Sequence, residues 1–387
     1  MIKATLSEIC SIQSGGTPSR GAESYWGGSI PWAKISDLEA SGDGYISDTE
    51  EYITKEGLEA IRGRVFDEGT LLFAMYGSVG KTAIVKGLVS TNQAILGIKP
   101  ETNTLELSYL KFWLRSQQAK FNRDAQGVAQ KNLSAGYIRA LEIPLPPLPE
   151  QKRIAAILDK ADAIRRKRQQ AIQFVDDLLR AVFLDMFGDP VTNPKGWEIK
   201  SIKEMAVVTT GNTPPRDNLE YYGDFIEWIK SDNINTPSDL LTPAAEYLSE
   251  VGYKAGRRVA AGSTLLTCIA GSFDCIGNAA YVDREVAFNQ QINALTPKFG
   301  VNGLFLYALV KYCKKLIQAA STNSMKGMIS KGKLEEVRFI CPPESLQIKF
   351  EEAFYKHRSV REGMESSLVG LNDNISSLSH MAFSGQL

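Results

Sequence analysis

A chain of 387 residues has room for two or three domains, and 43% apolar with 23% charged residues is the balance of a folded protein, which excludes a disordered or fibrous chain. Lys plus Arg and Asp plus Glu each number 44, so no global charge announces nucleic acid, and a DNA-binding surface would have to arise by local segregation. The longest apolar runs, such as TLLFAMY (70–76), fall far short of the roughly 20 residues of a membrane helix, and MIKATLSEIC has no signal-peptide core, so a cytoplasmic protein is expected.

From Ile2 onward the chain reads as short runs of Ile, Val, Trp, Tyr and Thr broken by Gly, Pro and Asp, a strand pattern. Within it lies GSVGKT (77–82). A phosphate-binding loop needs G-x-x-x-x-G-K-[ST], and the position five before Gly80 is Met75, so the motif fails and a turn between strands competes. The amphipathic stretch SYLKFWLRSQQAKF follows as a helix. Lys111, Arg115, Lys120, Arg123, Lys131 and Arg139 make this region basic, against Asp124 alone. PLPPLPEQ (144–151) then starts a long helix over 149–187, proline suiting a first turn. Ile154, Leu158, Ala161, Arg165, Arg168, Ile172, Val175, Leu179, Val182 and Met186 alternate spacings of four and three, a heptad seam.

After the linker GDPVTNPKG (188–196) the pattern starts again. Gly15, Thr17, Pro18 and Arg20 of SGGTPSR meet Gly211, Thr213, Pro214 and Arg216 of TGNTPPR, an offset of 196 residues. Tyr25, Gly27, Ile30, Trp32 and Lys34 meet Tyr221, Gly223, Ile226, Trp228 and Lys230 in the same register. VSTNQAI (89–95) matches VAFNQQI (286–292). Opposite GSVGKT stands GSFDCIGNAAYV, which keeps the glycine as Gly277 but replaces Lys81 and Thr82 by Asn278 and Ala279. A repeated unit would keep a phosphate loop in both copies, so the shared feature is a turn and Lys81 is at most a DNA-phosphate contact. GLFLYALVKYCKKLI gives the second amphipathic helix. Lys311, Lys314, Lys315, Lys326, Lys331, Lys333 and Arg338 repeat the basic stretch, against Glu335 and Glu336. Gln347 of CPPESLQ falls on Gln151, and a second long helix over 346–387 has the seam Phe350, Phe354, His357, Arg361, Met364, Leu368, Leu371, Ile375, Leu378 and Ala382. Arg165 and Arg361 occupy equivalent seam positions, where a polar layer fixing register and arginines reaching solvent are both open readings.

These elements predict an α+β protein of two pseudo-symmetric domains, 1–148 and 197–345, each followed by a long helix, the helices pairing as an antiparallel coiled coil. About 38 helical residues span roughly 57 Å, the length of roughly 17 base pairs.

The tandem GxTP-R…Y-G…W-K entry, the NQ-I segment and the PLPPLPEQ helix start resemble, over essentially the whole chain, the specificity (S) subunit of type I restriction–modification enzymes. The second helix start departs from the fuller form, as CPPESLQ. The resemblance implies two target-recognition domains, each reading one half of a bipartite asymmetric site in double-stranded DNA, and helices that set the spacing and dock two methyltransferase subunits. It implies restriction/translocase subunits in the full complex. It implies no cofactor on this chain, with S-adenosylmethionine, ATP and Mg on the partner subunits.

For DNA contact, phosphates give affinity and base edges give specificity. Arg20/Arg216 and Lys34/Lys230, present in both copies, suit shared scaffold or backbone duties. Asn92, Gln93, Asn289 and Gln290 have side chains able to pair with adenine, and a structural role is equally open. Readers are expected in the divergent segments 41–54 and 239–256, or near Lys131/Asn132/Ser134 and Lys326/Ser330/Lys331. Trp32 and Trp228 read as core before stacking platforms. No catalysis is expected of the chain: it lacks the amine-holding N/D-P-P-Y/F string of DNA amino-methyltransferases, and its two histidines, His357 and His380, both lie on the last helix. Asp189 with Glu198 and Lys200 mimics a nuclease pattern, but straddles the linker and has no counterpart in the first copy. Cys10, Cys268, Cys275, Cys313 and Cys341 form no C-x-x-C pair, so reduced thiols and no metal site are expected. The competing class is a coiled-coil scaffold whose globules bind proteins.

Overall fold

A computed structural model describes residues 2–42, 44–101, 103–125, 132–321 and 327–387. The chain divides into two compact units, Met1–Gln169 with Ser366–Leu387, and Gln170–Glu365. Each unit thus takes one half of each long helix, Leu148–Phe187 and Glu344–Ser384. The fold is α+β, with the globular part of each unit followed by its long helix.

In the first unit one sheet runs in the order Cys10–Ser14, Ile95–Pro100, Leu71–Ala74, Thr82–Val85, Tyr45–Ile46. A second runs Glu51–Ile53, Trp26–Ala33, Leu88–Thr91, Val65–Asp67. The apolar runs LLFA and TAIV are buried along their whole length, as continuous hydrophobic strands should be. Trp26–Ala33 lies parallel to Leu88–Thr91, with Trp32 opposite Ser90. The second unit repeats the plan. Ala206–Thr210, Ile292–Pro297, Thr264–Thr267 and Ala279–Tyr281 form one sheet, and Ile226–Ile229 lies parallel to Val286–Phe288 in another, with Trp228 opposite Ala287. In both units a short strand before the long helix returns to the start of the domain: Glu142–Pro144 pairs with Lys3–Thr5, and Arg338–Ile340 with Ile199–Ser201.

Helix Leu107–Ser116 buries Tyr109, Leu110, Phe112, Trp113 and Leu114 among Leu71, Phe73 and Leu96 of the sheet and Ile154, Leu158 and Ala382 of the long helices. Helix Gly303–Tyr312 does the same in the second unit, with Leu179, Phe183, Phe350 and Phe354. There Phe350 packs on Phe183 and Phe187, whereas His357, seven residues later, meets Asp176, seven residues before Phe183. The helix halves in that unit are therefore antiparallel. Of the seam residues, Ile154, Leu158, Leu179, Phe350 and Phe354 are buried, and Ile172, Val175, Leu368, Leu371 and Ile375 are half-buried.

Candidate nucleic-acid interface

The GxTP-R entry forms the same construction twice. A Cβ at Gly15 would come within 2.1 Å of the Thr91 hydroxyl oxygen, and one at Gly211 within 2.1 Å of the Asn289 carbonyl, so only glycine admits the approach of this loop to the NQ turn. Gly15 N–H donates to Ile95 O at 3.0 Å, and Gly211 N–H to Ile292 O at 3.0 Å. The following threonines then donate their hydroxyls to the Gln93 and Gln290 side-chain carbonyls.

Arg20 and Arg216 lie over aromatic rings, Trp26 at 3.9 Å and Trp228 at 4.7 Å, and each also reaches a carboxylate: Glu51 at 2.5 Å and Glu246 at 2.7 Å. Lys34 joins Glu51 at 2.7 Å and Glu50 at 2.9 Å, and Lys230 joins Glu246. The bonds to Glu51 and then Glu50 push the Lys34 ammonium up to about 12. Two carboxylates thus balance two cations in the first copy, whereas in the second Arg216 and Lys230 share Glu246 alone. Trp32 and Trp228 are buried to 2% exposure, their indole N–H groups donating to the Gly16 and Asn212 carbonyls. The carboxylate hub was missed from the sequence, yet it had a signal: EYIT (51–54) and EYLS (246–249) are a matched pair lying inside segments taken as divergent. Thr54 and Ser249 cap equivalent helices there, which confines the divergence to 41–50 and 239–245.

In the NQ segment the asparagines are turn-formers. Asn289 is buried, its Oδ1 accepting from Gln291 N–H at 3.0 Å and its amide donating to Gln291 Oε1 at 3.1 Å, so it is not free to read a base. Asn92 Oδ1 accepts from Ala94 N–H at 3.1 Å. Gln93 and Gln290 are exposed, and with Thr17 and Thr213 on their carbonyls, bidentate pairing with adenine gives way to donation from the amide N–H groups.

GSVGKT is the turn between strands Leu71–Ala74 and Thr82–Val85, with no helix after it. Its amides are spent locally: Gly80 N–H donates to Ala74 O at 3.0 Å and Lys81 N–H to Ser78 O at 3.2 Å. Gly80 and Gly277 share left-handed backbones, φ 89° and 84°. A Cβ would strike Gln118 at the first and Lys314 at 3.0 Å at the second, equivalent residues of equivalent helices. This turn, with Lys81, Arg115, Gln118 and Asn122, borders an open cavity of about 460 Å³.

The basic stretches serve two purposes. Lys111 is 4% exposed and meets Asp159 at 3.2 Å, while Arg115 joins Arg165 (2.8 Å) and Arg166 on fully buried Asp162, at 3.2 Å. Burial alone would push the Asp162 carboxyl up, but the three guanidiniums hold it below the ordinary carboxylate value. In the second unit Lys311 and Tyr307 (2.6 Å) hold Asp239, and Arg361 meets it at 3.5 Å and Asp176 at 3.4 Å. Burial again opposes these partners and is outweighed, so Asp239 is also held low. Arg165 and Arg361 therefore form ion-paired polar layers rather than reaching past the seam into solvent, and part of each basic stretch fastens a domain to its long helices.

Asn132 and Ser134 are exposed, as are Ser330 and Lys331. Ser134 and Ser330 are helix N-caps, accepting from Tyr137 N–H at 3.1 Å and Lys333 N–H at 3.4 Å. Lys131 and Lys326 lie outside the described residues. The nuclease-like trio is dispersed: Asp189 caps its own turn through Val191 N–H at 2.8 Å, while Glu198 pairs with Lys200 at 3.0 Å. Desolvation pushes the Cys10, Cys268 and Cys313 thiols up to about 12, the opposite of a reactive or metal-binding thiolate. No helix among the described residues is long and apolar enough to cross a membrane.

The elements thus build two copies in tandem of one α+β domain, each followed along the chain by a long helix. Residues 2–173 and 194–351 match the type I restriction modification DNA specificity domain, and the chain belongs to that family. It is 22% identical over 375 residues to the type I restriction enzyme MjaIX specificity subunit of Methanocaldococcus jannaschii, covering 89% of this chain and 84% of that one. The EcoR124I/EcoR124II specificity subunit of Escherichia coli is 28% identical over 193 residues, 45% of this chain and 47% of that one. In fold it is similar to a chain solved in a study of complex assembly and conformational transition of the type I R-M system (TM-score 0.58, 17% identity, 100% of this chain and 98% of that one). The S subunit of the type I system from M. genitalium is likewise similar in fold (TM-score 0.53, 15% identity, 99% and 96%).

Proposed function

We propose that this chain is the sequence-specific DNA-binding subunit of a type I restriction–modification enzyme, each domain reading one half of a bipartite asymmetric site. The observation that carries the reading is the family match to both copies in tandem. The chain contributes recognition without catalysis. Two methyltransferase subunits act with it in the cytoplasm, joined by restriction/translocase subunits, and S-adenosylmethionine, ATP and Mg reside on those partners. Phosphate contact falls to exposed cations such as Lys120 and Lys315, and to Lys81 at the rim of its cavity. The amides of Gln93 and Gln290 offer matched donors, and base reading falls to the divergent loops. Protein partners find apolar footing on the central helix, where Phe174 and Leu178, one turn apart, are 71% and 61% exposed.

The test is a base-modification map of genomic DNA from cells carrying this gene and its methyltransferase partner, against cells lacking this gene alone. Loss of methylation at one split motif is expected. An unchanged map with the methyltransferase active would overturn the reading in favour of a protein-binding scaffold.

A further inference from the structure

The hub of cations and carboxylates is built alike in the two units, oxygen for oxygen. Glu51 accepts from Arg20 through Oε2 and from Lys34 through Oε1, and Glu246 accepts from Arg216 through Oε2 and from Lys230 through Oε1. The residue before each glutamate differs. In the first unit it is Glu50, whose carboxylate gives Lys34 a second contact at 2.9 Å, and in the second it is Ala245. Asp37, which accepts from the Glu50 N–H at 3.0 Å and the Lys34 N–H at 2.7 Å, is replaced by Asn233. Asn233 keeps the bond from the Lys230 N–H, at 3.1 Å, without the charge.

The second hub is therefore one negative charge short. Asp217 and Asp232, beside its cations in sequence, form no ion pair with either among the described residues. Both cations reach solvent, the Arg216 side chain being 53% exposed and that of Lys230 31%. An ammonium has three N–H donors, and Glu246 takes one of those on Lys230. Glu50 marks where an anion sits on such a lysine: its carboxylate touches Lys34 while 73% exposed, so the position is reached from solvent. Exposed Ala245 has no side chain to fill it. Arg216 and Lys230 also lie over Trp228, at 4.7 and 5.2 Å, and its indole N–H donates to Asn212 O, next to the Thr213 that holds Gln290. The surplus charge stands on the loop that presents the Gln290 amide.

We propose that Arg216 and Lys230 bind a backbone phosphodiester of duplex DNA, the phosphate taking the position that Glu50 takes in the first unit, so that the first unit makes no such contact. The inference rests on the DNA-binding reading. It makes the two domains grip the backbone unequally, the second releasing one more counterion than the first.

The test titrates the full chain, in complex with its methyltransferase subunits, with a duplex carrying the split motif of the modification map, over roughly 50–300 mM KCl. Ala245→Glu, which transplants the carboxylate of the first unit onto an exposed position, should weaken binding roughly fivefold at low salt and reduce the slope of log affinity against log salt by about one, with an unchanged melting temperature. Glu50→Ala should raise the slope by about one. Lys230→Gln should lower it in the parent and have no further effect beside Ala245→Glu, because both changes remove the same contact. A slope unmoved by Ala245→Glu or by Lys230→Gln in a parent that binds the duplex overturns the inference and leaves the DNA reading standing. Additive losses in the double variant overturn it too, since the added carboxylate would then act at a distance. A parent complex that binds no duplex overturns the DNA reading and this inference with it.

Discussion

Gln347 makes in the second unit the bonds that Gln151 makes in the first. Gln151 Oε1 accepts from Glu106 N–H at 2.9 Å, and its amide donates to Thr104 O (2.7 Å) and Pro146 O (2.9 Å). Gln347 Oε1 accepts from Asn302 N–H at 2.8 Å, its amide donating to Pro342 O (2.7 Å) and Gly300 O (3.4 Å). Both are fully buried. Each glutamine ties the first turn of a long helix to the loop that opens the domain's amphipathic helix. Replacing either by leucine leaves a buried amide and carbonyls unpaired, an expected loss of about 2–4 kcal/mol measured by denaturant unfolding. An unchanged unfolding midpoint in Gln151→Leu would show that the tie is dispensable.

Asp162 and Asp239 make acid the weak side of the stability profile. Their folded pKa values lie below the ordinary 3.8, so their contribution is fully present above about pH 4 and is lost as pH falls through the depressed folded values. Asp162→Asn removes the charge and leaves three guanidiniums facing one another, at an expected cost of about 3 kcal/mol at neutral pH. Thermal melts from pH 7 to pH 3 should show the parent losing more stability than Asp162→Asn over the acid end, the two curves converging.

Lys81 and Gly80 are adjacent but should separate affinity from stability. Lys81→Ala should leave the melting temperature within a degree or two and weaken duplex binding equally across sequences, reducing the slope of log affinity against log salt by about one. Gly80→Ala, at φ 89° and with its Cβ driven into Gln118, should cost about 2 kcal/mol or more. A sequence-dependent change on removing Lys81 would make it a base reader instead.

Phe174 and Leu178 present apolar side chains to solvent within the helix half belonging to the second unit. Changing both to serine should leave the isolated chain as stable as before and weaken co-purification with the methyltransferase at least tenfold, while DNA half-site preference stays the same. Retained co-purification would place the docking surface elsewhere.

The repeat was legible because hydrophobic spacing and glycine positions survive divergence, and a constant offset is visible without any structure. Glu51 and Glu246 were accessible by the same route, since the EY[IL][TS] strings recur. Asp162 and Asp239 were not. The first lies on the long helix and the second in a loop before a strand, so two carboxylates doing related work occupy unrelated positions in the repeat. No alignment of the copies could pair them; only the folded chain brings Arg115 to one and Lys311 to the other. Lys111 and Arg115 were counted toward a DNA-facing charge because sequence does not distinguish a cation on the buried side of an amphipathic helix from one at its edge.

Leu378, Ala382, Phe383 and Leu387 pack on the core of the first unit, against residues made more than two hundred positions earlier. During synthesis the opening domain must therefore wait, with the apolar flank around Tyr109 uncovered, until nearly the whole remaining chain has left the ribosome. A nonsense mutation late in the gene would injure the domain encoded first and spare the one encoded second.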